Sequence, residues 1–399
     1  MMPTVQTFNR TRFAAWPSHE ADELKAAYSV LASGHTNYWT GSEARHFERE
    51  YSAALNRNYA VALHNGTQAL ELALVALGVG PGDEVVTTSR TFIASASAVV
   101  MRGATPVLVD VNSESGNLSA ETVAPKVTER TKAIIAVHLG GWPVEMGGLL
   151  DLARQNGIAV IEDAAQAHGA TIHGRPVGSF GDLAAFSFCQ DKIITTGGEG
   201  GLLALDDEAQ WRKAWSFKDH GKSYAAIYEQ PHQESGYKPI YDSFGTNWRM
   251  LEVQAAIGRV QLKKLPSWSM RRREIGRRYE EHLRHLDALR VPCVPDHLEH
   301  AYYRSYVYVR PEALRSGWSR TRIMDEVAAR GVPISVGGAS ELYLEKAFRD
   351  AGLGPQERLP VAKELGETAL ALLCHPTLSD EAVEATLDAI REVIVEATR

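Results

Sequence analysis

The chain has 399 residues, 44% hydrophobic and 23% charged, which is enough to bury a large core and unlike a fibrous or disordered chain. Its 42 basic and 49 acidic residues leave a net charge of −7, so it lacks the basic footprint of a non-specific nucleic-acid binder. Cys189, Cys293 and Cys374 are far apart with no CxxC pair, which argues against a disulfide framework and a Cys-rich metal site.

No apolar h-region follows Met1, and no apolar run approaches the ~18 residues of a membrane span. The expectation is a soluble, cytoplasmic protein with no nucleic-acid or membrane partner and no metal. Along the chain, 59–63 reads as a buried strand, and 67–77 as a helix with Leu70, Ala73, Leu74 and Leu77 on one face. Gly78 and Pro81-Gly82 end that helix. Strands are expected at 84–88, 105–110, 132–137, 158–162, 183–188 and 201–205, with helices at 92–101 and 146–155. Such a βαβα rhythm with continuously apolar strands predicts an α/β fold with a mostly parallel sheet covered on both faces. The stretch 249–286 has a helical pattern that Pro266 is expected to break. The run Arg271-Arg272-Arg273 reads as a solvated helix face between two domains. A strand at 306–309 and helices at 320–330 and 380–398 suit a smaller α+β domain. The expected division is a large α/β domain, 15–270, and a small C-terminal domain, 271–399.

Several motifs fail. Gly221-Lys222-Ser223 lacks the earlier glycine of a P-loop, because position 216 is Ser216. No GxGxxG follows the first strand, and Gly338-Ala339-Ser340 lacks the second glycine of a nucleophile elbow. His297 and His300 have no third ligand in the pattern and read as a surface feature.

Four segments carry more chemistry. Asn65-Gly66-Thr67 opens a helix after a strand, a place where free N–H groups bind anions, although Thr67 could equally be a helix cap. Glu162-Asp163 ends an apolar strand, where a carboxylate needs a cationic partner unless it caps a helix. Lys192 lies between the apolar 186–188 and the glycines at 197, 198, 200 and 201; partial removal from water lowers a lysine's pKa and makes it nucleophilic. The fourth, Phe244 to Met250, is a polar turn feeding the long helix.

Taken in order, these residues resemble the aspartate-aminotransferase superfamily that binds pyridoxal 5'-phosphate (PLP, fold type I). More closely they resemble the DegT/DnrJ/StrS family of nucleotide-sugar aminotransferases, from about Tyr38 to Thr377. The stretches that carry the resemblance are Asn65-Gly66-Thr67, Pro81-Gly82-Asp83-Glu84-Val85, Thr91-Phe92-Ile93-Ala94, Glu162 to Gly169, Phe186 to Gly201 and Asn247 to Ala256. The resemblance implies that Lys192 holds PLP as a Schiff base and shuttles the substrate proton. It implies that Asp163 pairs with the pyridinium nitrogen, Phe92 stacks on the ring and Gln166 lies beside it. Gly66, Thr67 and Ser187 match phosphate ligands, and Asn247 matches a residue donated by the other subunit of a homodimer with shared active sites. The implied substrates are an amino-acid donor, L-glutamate, and a nucleotide-linked keto-sugar. The product would be an amino-deoxy sugar for surface polysaccharide, such as lipopolysaccharide O-antigen, or for a glycosylated metabolite. Tyr38, Trp39 and Trp142 are candidate substrate contacts, with core packing as the alternative. The sequence departs from many relatives at His64, at Cys189-Gln190-Asp191 and at Ile334 to Gly338. The rival reading is a PLP-dependent lyase or aromatising enzyme acting on an amino-cyclitol or shikimate-like compound.

Overall fold

The structure is a computed structural model that describes residues 12–229 and 239–398. Seven strands form its main sheet: β1 (Tyr59–Leu63), β2 (Glu84–Thr88), β3 (Thr105–Val109), β4 (Thr131–Val137), β5 (Ala159–Asp163), β6 (Leu183–Ser187) and β7 (Gly201–Leu205). Their order is β1-β7-β6-β5-β4-β2-β3. Every pairing from β6 to β3 is parallel. β7 runs antiparallel to both β1 and β6. Orientation is the one feature of this sheet that apolar runs alone cannot carry. Alternate residues of β4 serve opposite faces: Ile134 and Ala136 pack in one buried cluster, Ala133 and Ile135 in another. Both faces are therefore buried, which is why the strands read as unbroken apolar runs.

Helices α1 (Ala21–Ser33), α2 (Glu43–Ala54), α3 (Gly66–Leu77), α4 (Ala94–Met101) and α5 (Met146–Asn156) lie in this first half. In α3, the Asn65 side chain accepts from the Gln68 N–H at the N-terminus, and Gly78 closes the C-terminus at φ 76°. That fixes the start of α3 directly above the end of β1.

After α6 (Glu208–Phe217) comes α7 (Glu252–Leu283), a single 32-residue helix. Pro266 lies inside it and does not break it. The residue is exposed, so the carbonyl that loses its N–H partner can face water, and the Ser267 hydroxyl donates to the nearby Lys264 carbonyl. The arginine run on this helix is not a solvated face either. Arg272 is 1% exposed and donates to the carbonyls of Tyr302 and Cys374, while Arg271 pairs with Glu274 and Asp380. A second, fully antiparallel sheet has the order β8-β9-β11-β10, from β8 (Leu289–Arg290), β9 (Arg304–Val309), β10 (Ile334–Ser335) and β11 (Ala369–Leu373). Helices α8 (Arg320–Ala329) and α9 (Asp380–Thr398) pack in its own buried cluster, with Ile323, Val327, Leu387 and Ile390. His300 is also buried, its Nδ1 accepting from the Tyr302 N–H at 2.6 Å, so of the pair His297/His300 only His297, which meets Glu145 at the surface, keeps the surface reading. Among the described residues, the three cysteines are unpaired thiols, and no helix is long and apolar enough to cross a membrane.

Candidate active site

The ends of β1, β5 and β6 open into one cavity of about 1060 Å³, closed on its far side by the start of β9 and by the turn after β10. Gly66, Thr67, Phe92, Asp163, Gln166, Ser187 and Lys192 all line it. Local structure explains each placement. Gly66 begins α3 against the end of β6, and a Cβ there would lie 2.5 Å from the Ser187 Cβ. Only a residue with no side chain lets the helix N-terminus and the Ser187 side chain approach this closely. The result is a small cradle with backbone N–H groups, the Thr67 hydroxyl and the Ser187 hydroxyl beside it, suited to a phosphate. Beneath it, the buried His168 donates from Nε2 to the Ser187 carbonyl at 2.9 Å and accepts the Tyr51 hydroxyl at Nδ1, at 2.6 Å. Burial pushes the His168 pKa down to about 3, so the ring stays neutral and the bonding pattern is fixed.

Asp163 is 5% exposed. Its Oδ2 accepts the Ser95 hydroxyl at 2.7 Å and its Oδ1 accepts the Ala165 N–H at 3.2 Å. Both donors are neutral. Burial therefore raises the Asp163 pKa, against these hydrogen bonds and the more distant Lys192 charge. A buried carboxylate in this condition favours a cation brought to the cavity. Its neighbour Glu162 serves structure instead, accepting the N–H groups of Gly178, Phe180 and Gly181.

Lys192 is half-buried, and the Trp16 indole N–H donates to its carbonyl at 2.8 Å. Burial lowers its amine pKa, with Asp191 and Asp163 pulling the other way. The amine lies 4.7 Å from the centroid of the Tyr303 ring. Phe92 is 64% exposed and turns an apolar ring to the cavity. Gln166 accepts the Gly140 N–H at 2.7 Å, which orients its amide.

The remaining predicted residues lie elsewhere in this chain. Asn247 is exposed, and its backbone bridges to Asp219 away from the cavity. Tyr38 and Trp39 line a separate cavity of about 650 Å³ with Trp211, Trp215, Tyr224 and Tyr228. Trp142 is a core residue, edge-on to His300, with its carbonyl accepting from Asn117. Ser95, Tyr303 and Arg304 line the active cavity without having been singled out for it. A hydroxyl one turn into a helix carries no sequence signal of its own. The pair Tyr303-Arg304 at the head of an apolar strand was the available clue.

An exposed aromatic ring, an anion cradle, a cation-seeking carboxylate and a desolvated amine around one cavity suit a flat, phosphorylated ring with a basic nitrogen and an aldehyde. PLP has each of these groups. The comparisons agree. Residues 17–391 match the DegT/DnrJ/EryC1/StrS aminotransferase family. The chain is similar to the spore coat polysaccharide biosynthesis protein SpsC of Bacillus subtilis, 34% identical over 94% of each chain. It is also similar to the dTDP-3-amino-3,4,6-trideoxy-alpha-D-glucose transaminase of Streptomyces venezuelae, 34% identical over 95% of this chain and 94% of the other. The crystal structure of an aminotransferase from Psychrobacter cryohalolentis superposes with a TM-score of 0.95 at 50% identity, covering 97% of this chain and 100% of that one. The chain belongs to the DegT/DnrJ/EryC1/StrS family and is a PLP-dependent aminotransferase of the fold type I architecture.

Proposed function

We propose that this enzyme moves an amino group from an α-amino acid, L-glutamate, to the keto carbon of a nucleotide-linked sugar. The product would be an amino-deoxy sugar for a surface polysaccharide or a glycosylated metabolite. The observation that carries this reading is the room in the site. A cavity of about 1060 Å³ lies at the top of the ~300–1,000 Å³ range of small-molecule sites, so a second bulky ligand fits beside the cofactor.

Gly66, Thr67 and Ser187 would hold the phosphate of PLP, Phe92 would cover one face of its ring, and Gln166 would lie beside it. Asp163 would meet the ring nitrogen, held in place by Ser95 and Ala165. Bound there, PLP supplies an electron sink for the substrate carbon that loses its proton. Lys192 would take the proton from the donor carbon and, in the second half-reaction, return one to the sugar-derived carbon. Its lowered pKa keeps more of the amine unprotonated at neutral pH than an exposed lysine would have. Tyr38 and Trp39 would serve as substrate contacts only across a subunit boundary.

A homodimer with shared sites accounts for Asn247, which stands exposed three residues from a Phe244 that is 99% exposed. A cytoplasmic location follows from the substrates. The division at residue 270 is supported by the two larger sheets, of which the first ends at Leu205 and the second begins at Leu289, while a small third sheet pairs Leu298–Glu299 with Thr171–Ile172 across it.

The test is a half-reaction. PLP-loaded protein given L-glutamate should form 2-oxoglutarate and one equivalent of pyridoxamine phosphate. A nucleotide keto-sugar should then restore the starting spectrum. No 2-oxoglutarate would overturn the reading and favour a lyase or aromatising enzyme.

A further inference from the structure

Lys192 stands on a turn with no ladder to hold it. Residues 189–196 lie between β6 and β7, outside any helix or strand. The Lys192 N–H donates to the Cys189 carbonyl at 3.0 Å. Its own carbonyl accepts the indole N–H of Trp16 at 2.8 Å, from a donor 176 residues earlier in the chain. That N–H is the single polar group of an indole, and it can only donate.

Trp16 belongs to a strap, residues 12–17, that is tied to the other half of the molecule. Phe13 is buried and packs in the cluster beneath the second sheet. The Ala15 carbonyl accepts the Thr377 hydroxyl at 3.2 Å. The Trp16 ring lies 6.1 Å from that of His375, nearly parallel at 20°, and 5.2 Å from that of Trp268, edge-on at 87°. The Arg272 guanidinium stands 5.1 Å from the ring centroid. Trp268 and Arg272 lie on α7 beyond Pro266, and His375 and Thr377 follow β11. Trp16 is thus gripped by groups outside the first sheet, and it reaches the lysine turn through a directed bond.

We infer that Trp16 is a positioning residue: its indole N–H holds the Lys192 carbonyl and so sets the reach of the lysine amine into the cavity. A lysine side chain is a flexible four-carbon stem, so its amine is placed only as well as the backbone that carries it. A group that moves a proton must come within about 2.6–3.2 Å of its target, and a misplacement of about 1 Å can cost about 100-fold in rate. The strap spends a large, well-packed ring on one carbonyl, and that carbonyl belongs to the residue whose amine must be placed. Because the ring is gripped from the side of the second sheet, the seating of that half and the position of the amine are linked through this bond. The inference rests on the reading above, in which Lys192 carries the cofactor.

The experiment is a double-mutant cycle on the PLP-loaded full chain: wild type, Trp16→Phe, Lys192→Ala and the pair. The first readout is the rate at which PLP is lost on dilution. Trp16→Phe should lose it about tenfold faster than wild type, because a displaced lysine holds the cofactor less well. In the Lys192→Ala background the same substitution should change the loss by less than about twofold. The second readout is the L-glutamate half-reaction. There Trp16→Phe should lower the rate at saturation about tenfold and shift the glutamate needed by less than about threefold. Two more proteins separate the N–H from the ring. Benzothienylalanine at position 16 puts sulfur where the indole has N–H and keeps its shape, so it should match Trp16→Phe even where phenylalanine loosens the strap. Trp268→Phe trims the packing and leaves the bond, so it should retain PLP as wild type does. The proposal is overturned by unchanged PLP loss in Trp16→Phe, by equal changes in both backgrounds, by a benzothienylalanine protein that behaves as wild type, or by Trp268→Phe matching Trp16→Phe. Coupled PLP loss in a protein that makes no 2-oxoglutarate would keep the strap while refuting the transamination reading.

Discussion

The Gly66→Ala substitution tests whether the cradle depends on the bare backbone of Gly66. An ideal Cβ there would lie 2.5 Å from the Ser187 Cβ and 3.1 Å from the Ser187 Cα. Carbon atoms in contact normally sit about 3.5–4.0 Å apart, so the start of α3 or the end of β6 must move by about 1 Å. Overpacking of this kind costs about 1–3 kcal/mol. The better helix propensity of alanine offsets little at a first-turn position. A shift of 1 Å in the phosphate ligands should weaken PLP binding by about 10- to 100-fold. Cofactor titration and thermal melting of the apoprotein read the two effects separately. The pair Gly66→Ala/Ser187→Gly removes the nearer struck carbon and leaves the Cα at 3.1 Å, so melting should recover in part while PLP affinity stays low, because the Ser187 hydroxyl is gone. PLP affinity within twofold of wild type, together with unchanged melting, would refute the reasoning.

Two further predictions concern groups outside the cradle. Asn247→Ala should weaken PLP retention at least tenfold while leaving melting of the apoprotein unchanged, since the side chain is exposed in the single chain; unaltered retention would remove Asn247 from the site. Burial pushes the His300 pKa down to about 3, against 6.5 in the unfolded chain. Below pH 6.5 the unfolded state takes up a proton that the folded state refuses, so stability from this group is lost as pH falls from 6.5 toward 3. Between pH 8 and pH 5, wild type should lose about 2 kcal/mol more than His300→Asn in urea unfolding. Asparagine is chosen because its amide oxygen can accept the Tyr302 N–H that the ring accepts at 2.6 Å. Parallel pH profiles for the two proteins would contradict the buried, neutral ring.

Much of this architecture can be read from residues, and the gaps have physical causes. The strands at 59–63, 84–88 and 201–205 have the bounds expected from their apolar runs, because burial on both faces removes any alternation that would blur them. The antiparallel run of β7 was not legible, since strand direction is set by pairing partners and not by composition. Pro266 misled because a proline's cost depends on which way the orphaned carbonyl points, and here the position is exposed. Arg272 misled for the opposite reason. Three adjacent arginines on a helix point in three directions, and one of them had to enter the interior, where carbonyls of Tyr302 and Cys374 receive it. Short strands such as β8 and β10, two residues each, leave no periodicity to detect. In the site, residues on strand ends and glycine turns stood out because their chemistry conflicts with their setting. Ser95 did not, because its importance lies in the carboxylate of Asp163 that it bonds, which is distant in the chain.

The most direct test of the central claim is to locate the cofactor. Borohydride treatment of the PLP-loaded protein, followed by peptide mass spectrometry, should find one pyridoxyl group per chain on the peptide containing Lys192, and none in Lys192→Ala. A group fixed to another lysine, or an unlabelled wild type, would contradict the placement of the reactive amine between Asp163 and Tyr303.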